Sequence, residues 1–550
     1  MNLAQFFEHW RIAENPFKGE EARTDSVFAR IGLAAPGSSM PSREAASVPP
    51  VVVSEPGAIP ASGSSGSIAH APFHSDFDKI LGDLSRPSTS IVFGEKGSGK
   101  TAIRLQTADR IAAHNAARGE SRILMVAYDD LNGVLDRFHR RVNGKTPLES
   151  FQKLRLADHI DAIIGQVVPR IVDTLLTKPS SGPAPSDAVD LGNEARKRAR
   201  KLDLDAKREL LLLQAVYDRP DVAEARTARL RSLLRVSLPA PVILWTALAW
   251  LGWIPAAAML VYHMLQPGDH LLWNIYSIAF VSLVGVWLAI VFKRLAVDRW
   301  GILRLAHRVR RQIRVQQRSD ISYARSLGQL DPVARDPSRL PLGDAGGGAD
   351  DARYALLERL RRTLSRFGYS GLLIVVDRVD EPTLISGDAD RMRAVVWPML
   401  NNKFLQAPGV GVKMLLPIEL RHALFKESTV FFQEARLDKQ HLVERLSWTG
   451  AMLYDLCDAR LKACLAPGSE TISLVDLFEQ DVTRKDLIDA LDQMHQPRDA
   501  FKFLYACIAE HCSNVTSEQQ MFKVPRLTLE TVRKQQSERV QQLYRGIRPA

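Results

Sequence analysis

Apolar and polar positions along the chain follow three successive patterns. From Phe73 onward, short apolar runs bounded by turn residues alternate with amphipathic stretches: a helix near 77–84, a strand at 89–93, a Gly-rich turn, a helix from 101 to about 118, and a strand at 123–128. Strand, turn, helix, strand predicts the opening of a parallel α/β sheet. Residues 150–235 read as helices, interrupted by a Pro/Ser/Gly stretch at 178–187. After a second loose stretch at 331–351 the first pattern resumes, with a helix over 352–367, a strand at 372–376, a helix over 388–405, a strand at 412–416, and helices to the end.

The third pattern lies between these halves. Residues 241–265 and 271–292 carry no formal charge in 25 and 22 residues. At about 1.5 Å rise per residue each is long enough to cross a hydrocarbon layer of about 30 Å. Five of the nine Trp (Trp245, Trp250, Trp253, Trp273, Trp287) fall in these runs, several near their ends, as interfacial anchoring favours. Arg229, Arg231 and Arg235 precede the pair, and nine Lys or Arg against one acid follow between Lys293 and Arg318. By the positive-inside rule both flanks, and so both termini, are expected in the cytoplasm, with the lipid bilayer of a bacterial inner membrane as a partner. No signal peptide is expected, because the first residues lack a continuous apolar core.

Composition changes this picture in two places. The net charge of +11 and a pI near 9.5 invite a nucleic-acid partner, yet much of the excess sits beside the apolar pair. The four Cys (Cys457, Cys464, Cys507, Cys512) are spaced unlike zinc ligands and are expected to be reduced thiols on buried helices. The resulting division has an N-terminal helical segment at 1–33 and a disordered linker at 34–72. The first half of an α/β core follows at 73–177, then a helical insert with the apolar pair at 178–335 and a linker at 336–351. The second half of the core takes 352–430 and a helical lid 431–550.

Chemistry concentrates at Gly94-Glu95-Lys96-Gly97-Ser98-Gly99-Lys100-Thr101, a complete G-x-x-x-x-G-K-[ST] between an expected strand and helix. Glycines let backbone N–H groups wrap a phosphate chain, and the helix N-terminus adds its positive end. Lys100 is expected to reach the β and γ phosphates and Thr101 to give a hydroxyl to Mg²⁺. The apolar strand Leu372-Leu373-Ile374-Val375-Val376 ends in Asp377, a carboxylate suited to the metal's water shell. Asp380 and Glu381 follow as alternatives for orienting the attacking water. Asn402-Lys403-Phe404-Leu405 lacks the acid of a guanine-reading N-K-x-D, which favours ATP. Gln496-Pro497-Arg498-Asp499 opens an apolar helix, where Arg498 reads either as a solvated residue of a first turn or, because the step resembles the Pro-Arg of the sensor helix in AAA+ and STAND lids, as the γ-phosphate sensor that this resemblance implies. Asp129 and Asp130 follow the 123–128 strand and read as ordinary turn acids.

A P-loop and an acidic second motif separated by an inserted apolar helix pair resemble the KAP family of membrane-associated P-loop ATPases, within the STAND and AAA+ group, over about residues 73–510. The resemblance implies a doubly wound α/β P-loop NTPase on the cytoplasmic membrane face, a helical lid, and ATP and Mg²⁺ as ligands. It also implies a role as a switch or assembly platform, in some bacterial members linked to phage exclusion. KAP proteins usually run D-D-x-D-R after the strand, and this chain reads Asp377-Arg378-Val379-Asp380-Glu381. Asp377 and Asp380 carry over, whereas Arg378 and Glu381 depart from the pattern. The expected function is a regulatory ATPase whose nucleotide state sets homo-oligomerisation or docking of a protein partner. Two alternatives are a membrane-tethered nucleic-acid translocase and an oligomeric membrane-perturbing effector.

Overall fold

The computed structural model describes residues 1–18, 22–33, 74–119, 121–177, 189–192, 194–237, 240–265, 270–342, 349–516 and 521–544. The linker expected at 34–72, the stretch at 178–187 and residues 343–348 of the one at 336–351 lie outside them. Five parallel strands form one sheet: β1 (Ser90–Gly94), β2 (Arg122–Tyr128), β3 (Tyr369–Val376), β4 (Val410–Pro417) and β5 (His441–Val443), in the order β2-β3-β4-β1-β5. The central strands are largely apolar because both faces are covered, with Ser90 of β1 and Lys413 of β4 as buried polar exceptions. Successive residues serve opposite cores. On β3, Leu372, Ile374 and Val376 face the helices Leu156–Leu176 and Ala349–Ser365, while Leu373 and Val375 face Lys100–Ala117. Register brings two acids together: Tyr128 pairs with Val376, so Asp129 and Asp377 leave adjacent strands side by side at the carboxyl edge.

The sequence places most elements within a few residues, with four differences. The helix expected over 388–405 is broken into Ala389–Val396, a short 3-10 turn and Asn402–Leu405, because Pro398 cannot continue the backbone ladder. The three-residue β5 has too little pattern to read. The apolar run 241–265 is two helices, Ala240–Leu251 and Ile254–Leu265. Pro255 lacks an N–H, and the carbonyl of Ala249 accepts from Trp287 Nε1 at 3.0 Å, which draws the break against the neighbouring helix. Gly252 fits this crossing because a Cβ there would stand 3.0 Å from Trp287. The second run, His270–Phe292, continues through a π turn at Lys293–Val297 into Asp298–Gln312. The segments Ile243–Tyr262 and Ser277–Gln312 each hold a stretch long and apolar enough to cross a membrane by length and composition, and that stretch is almost wholly uncovered by the rest of the fold.

The largest correction concerns the division into units. The helices Leu204–Tyr217, Ala223–Leu234 and Asp320–Gly328, and the end of Asp298–Gln312, share one core with the sheet through Leu213, Val216, Leu230, Val309 and Leu327. Arg353 and Asp161 form a fully buried ion pair at 3.1 Å, and Tyr217 of the insert donates to the same carboxylate at 2.6 Å. An insert bounded at 178–335 is therefore not a separable module; among its described residues, the apolar helices are the part that projects. The N-terminal segment joins a second core with the C-terminal helices, Phe6, Ile12, Phe17 and Val27 packing among Leu453, Leu461, Phe503 and Leu504. All four Cys are buried and unbridged.

Candidate functional site

β1 ends in Gly94, and the chain turns through Glu95–Gly99 into the helix Lys100–Ala117. Gly97 and Gly99 have φ of +102° and +93°, conformations that side chains resist. At Gly97 a Cβ would also meet Gln496 Oε1 at 3.0 Å and Arg498 Cβ at 3.1 Å, so the start of the helix Pro497–Asn514 is seated on the loop. Trp448 Nε1 donates to the Ser98 carbonyl at 2.8 Å, while Gln496 and Arg445 both engage Glu95. The C-terminal unit thus grips the loop from outside and leaves its inner face to a cavity of about 390 Å³.

Lys100 Nζ donates to the carbonyls of Gly94 at 2.7 Å and Glu95 at 2.9 Å. Burial pushes its ammonium below the ordinary value, opposed by the carboxylates of Asp380, Asp377, Glu419 and Glu95. Thr101 Oγ1 donates to Asp377 Oδ2 at 3.2 Å. Asp377 is 1% exposed; burial raises its carboxyl above the usual range, opposed by Arg104 and Lys100. Arg378 follows with φ of +59°, its N–H on Asp377 Oδ1 at 2.9 Å and its guanidinium on Glu381 at 2.7 Å. Asp380 is half-buried and lines the cavity with Lys96, Gly97, Lys100, Thr101 and Arg498.

Comparison of the chain with protein-family models, with curated proteins and with solved structures returns no match. Function is therefore read from the residues themselves.

The residues singled out from sequence converge. Gly97, Gly99, Lys100, Thr101, Asp377, Asp380, Glu381 and Arg498 border one cavity, and Glu95 points away from it toward Gln496 and Arg445. The Asn402–Leu405 stretch is elsewhere, with Phe404 and Leu405 in the core and Lys403 paired with Asp351. Several residues at or beside the cavity escaped the sequence reading. Arg104 lies three residues after Thr101, on the same helix face, a spacing that could have flagged it. It pairs with Asp377 at 3.2 Å and Asp129 at 3.0 Å. His74, Trp448, Phe501 and Phe28 add an aromatic wall from distant segments, a convergence with no local signal.

The loop suits an oxyanion chain. Among the described residues Ser98 Oγ is buried without a hydrogen-bond partner, and the positive-φ glycines leave the backbone open to close approach. Thr101 and Asp377 together form an oxygen donor set suited to Mg²⁺, with few direct protein ligands and room for water.

Proposed function

We propose that the chain is an ATP-binding and ATP-hydrolysing regulatory protein of the P-loop class, held at a membrane by its two apolar segments. The observation that carries the reading is the Thr101–Asp377 contact beside Lys100, which joins residues 276 positions apart in sequence at the carboxyl edge of a parallel sheet, where such sheets bind ligands. The backbone of Gly94–Thr101 receives the phosphates, and Lys100 exchanges its two carbonyl partners for phosphate oxygens. Bound at Thr101 and Asp377, Mg²⁺ would supply positive charge to those oxygens. Asp380 orients the attacking water; Glu381 borders the same cavity but is held by Arg378, which favours Asp380 for the role. Arg498 brings a cation from the C-terminal unit to the loop, so the presence of the last phosphate is felt by that unit and by the assembly or protein partner it contacts.

The test is nucleotide binding and turnover of the full chain in detergent beside Lys100→Ala and Asp377→Asn. Loss of Mg²⁺-dependent turnover in both, with unfolding midpoints retained, supports the site; wild-type rates in either overturn it.

A further inference from the structure

Four charged side chains form a row that leads from the N-terminal segment to the metal-side acid. Arg23 pairs with Asp129, Asp129 pairs with Arg104 at 3.0 Å, and Arg104 pairs with Asp377 at 3.2 Å. The inner three side chains are 10% exposed or less, and Arg23 is 46% exposed. Arg23 belongs to a segment fixed on the C-terminal unit, where Asp25 pairs with buried Arg460 at 2.7 Å and Val27 enters the core. Ala22, Asp25 and Phe28 line the same cavity as the glycine loop. The segment is thus a wall of the site, supplied from more than seventy residues upstream of Lys100.

We propose that Arg104 is a positioning residue that couples the seating of residues 22–33 to metal binding at Asp377. The proposal rests on the reading that Asp377 serves Mg²⁺. Arg104 divides its charge between Asp377 and Asp129, and Asp129 divides its charge between Arg104 and Arg23. A metal ion at Asp377 displaces the share of Arg104 held there, which moves onto Asp129 and weakens the hold on Arg23. By reciprocity, whatever loosens Arg23 frees Asp377 for the metal by the same factor. The row therefore assigns opposite effects to two substitutions that break the same pair. Without Arg23, Asp129 takes Arg104 fully and Asp377 is left for Mg²⁺. Without the charge of Asp129, Arg104 turns wholly to Asp377 and competes with Mg²⁺.

The experiment uses the full chain in detergent with a fluorescent ATP analogue, and reads the Mg²⁺ concentration that gives half-maximal nucleotide binding. Arg23→Gln is expected to lower it and Asp129→Asn to raise it, each by about fivefold, the low end of usual couplings. Because Arg23 is half-exposed, a series at that position guards against misfolding: Arg23→Lys stays near wild type, and Arg23→Glu lowers the requirement beyond Arg23→Gln. A second readout is amide exchange of residues 22–33 with nucleotide present, which Mg²⁺ should raise in the wild type but not in Asp129→Asn. Shifts of the same sign in Arg23→Gln and Asp129→Asn, or no shift in either, would overturn the coupling and leave the row as a clamp. A wild-type protein that binds no nucleotide would instead overturn the site reading beneath it.

Discussion

Lys100 already holds two carbonyl acceptors of its own loop, so the ammonium is oriented before any ligand arrives. On the proposed function, Lys100→Ala removes the charge offered to phosphate and is expected to lower turnover by roughly 100-fold or more, on the scale of losing one preorganised donor, with the fold intact by circular dichroism. Gly97→Ala acts differently. It forces an L side chain into φ +102° and against Gln496 and Arg498, and is expected to cost about 1–3 kcal/mol, seen as a lower unfolding midpoint together with weaker nucleotide binding. A third residue lies in the middle of β4. Lys413 of β4 is buried, its ammonium on Ser90 Oγ at 2.9 Å, and burial lowers it from 10.5 to about 7. Between those values the unfolded chain holds a proton that the folded chain has released, so this residue makes stability rise with pH. Lys413→Met should raise the unfolding midpoint near pH 7 and lose that advantage as pH approaches 10.5, which a pH series of melts would show. A gain that does not change with pH would contradict the buried charge.

At the scale of elements, what could be read from sequence is what is local. β1, β3 and β4 are buried on both faces and so are mostly apolar runs, broken in β4 by Lys413, and the glycine loop and Asp377 each sit at the end of such a run. What could not be read depends on distant chain. The break between Leu251 and Ile254 depends on the Trp287 bond to Ala249 as well as on Pro255, and composition alone reports only an uncharged run. Asp129 looks like any turn acid until register sets it beside Asp377. Phe28, Trp448 and Phe501 meet only when the C-terminal helices close over the loop. The N-terminal helix Leu3–His9 likewise depends on residues far along the chain for its stability. Phe6 is fully buried, in edge contact with His511. Phe6→Ala is therefore expected to cost about 3–5 kcal/mol, and limited proteolysis should cut among residues 449–544 sooner than in the wild type, although that substitution lies far from them in sequence.

For the whole molecule, the shared core decides which parts can be removed. Replacing residues 240–297 by a short Gly/Ser linker takes away the exposed apolar helices and spares Leu230, Leu234, Ala306 and Val309. That chain is expected to be soluble by gel filtration and to bind the fluorescent nucleotide. Joining residue 178 to residue 350 also strips Leu210–Tyr217 from the core, and with Tyr217 one of the two partners of the Asp161 carboxylate, and should give insoluble protein. The reverse outcome would show that the projecting helices, rather than the packed ones, complete the fold. The union of the first residues with the last helices has a further consequence, for synthesis. Trp10 Nε1 donates to the Phe522 carbonyl, a partner 512 residues later. At about 5–20 residues per second a ribosome needs about 25–100 s to make that stretch. For most of that interval, until the helices from Gly450 onward are made, Phe6, Ile12 and Phe17 lack the counterparts they pack against, so a nascent chain, or one terminated before them, presents an uncovered apolar segment to the cell's chaperones and proteases.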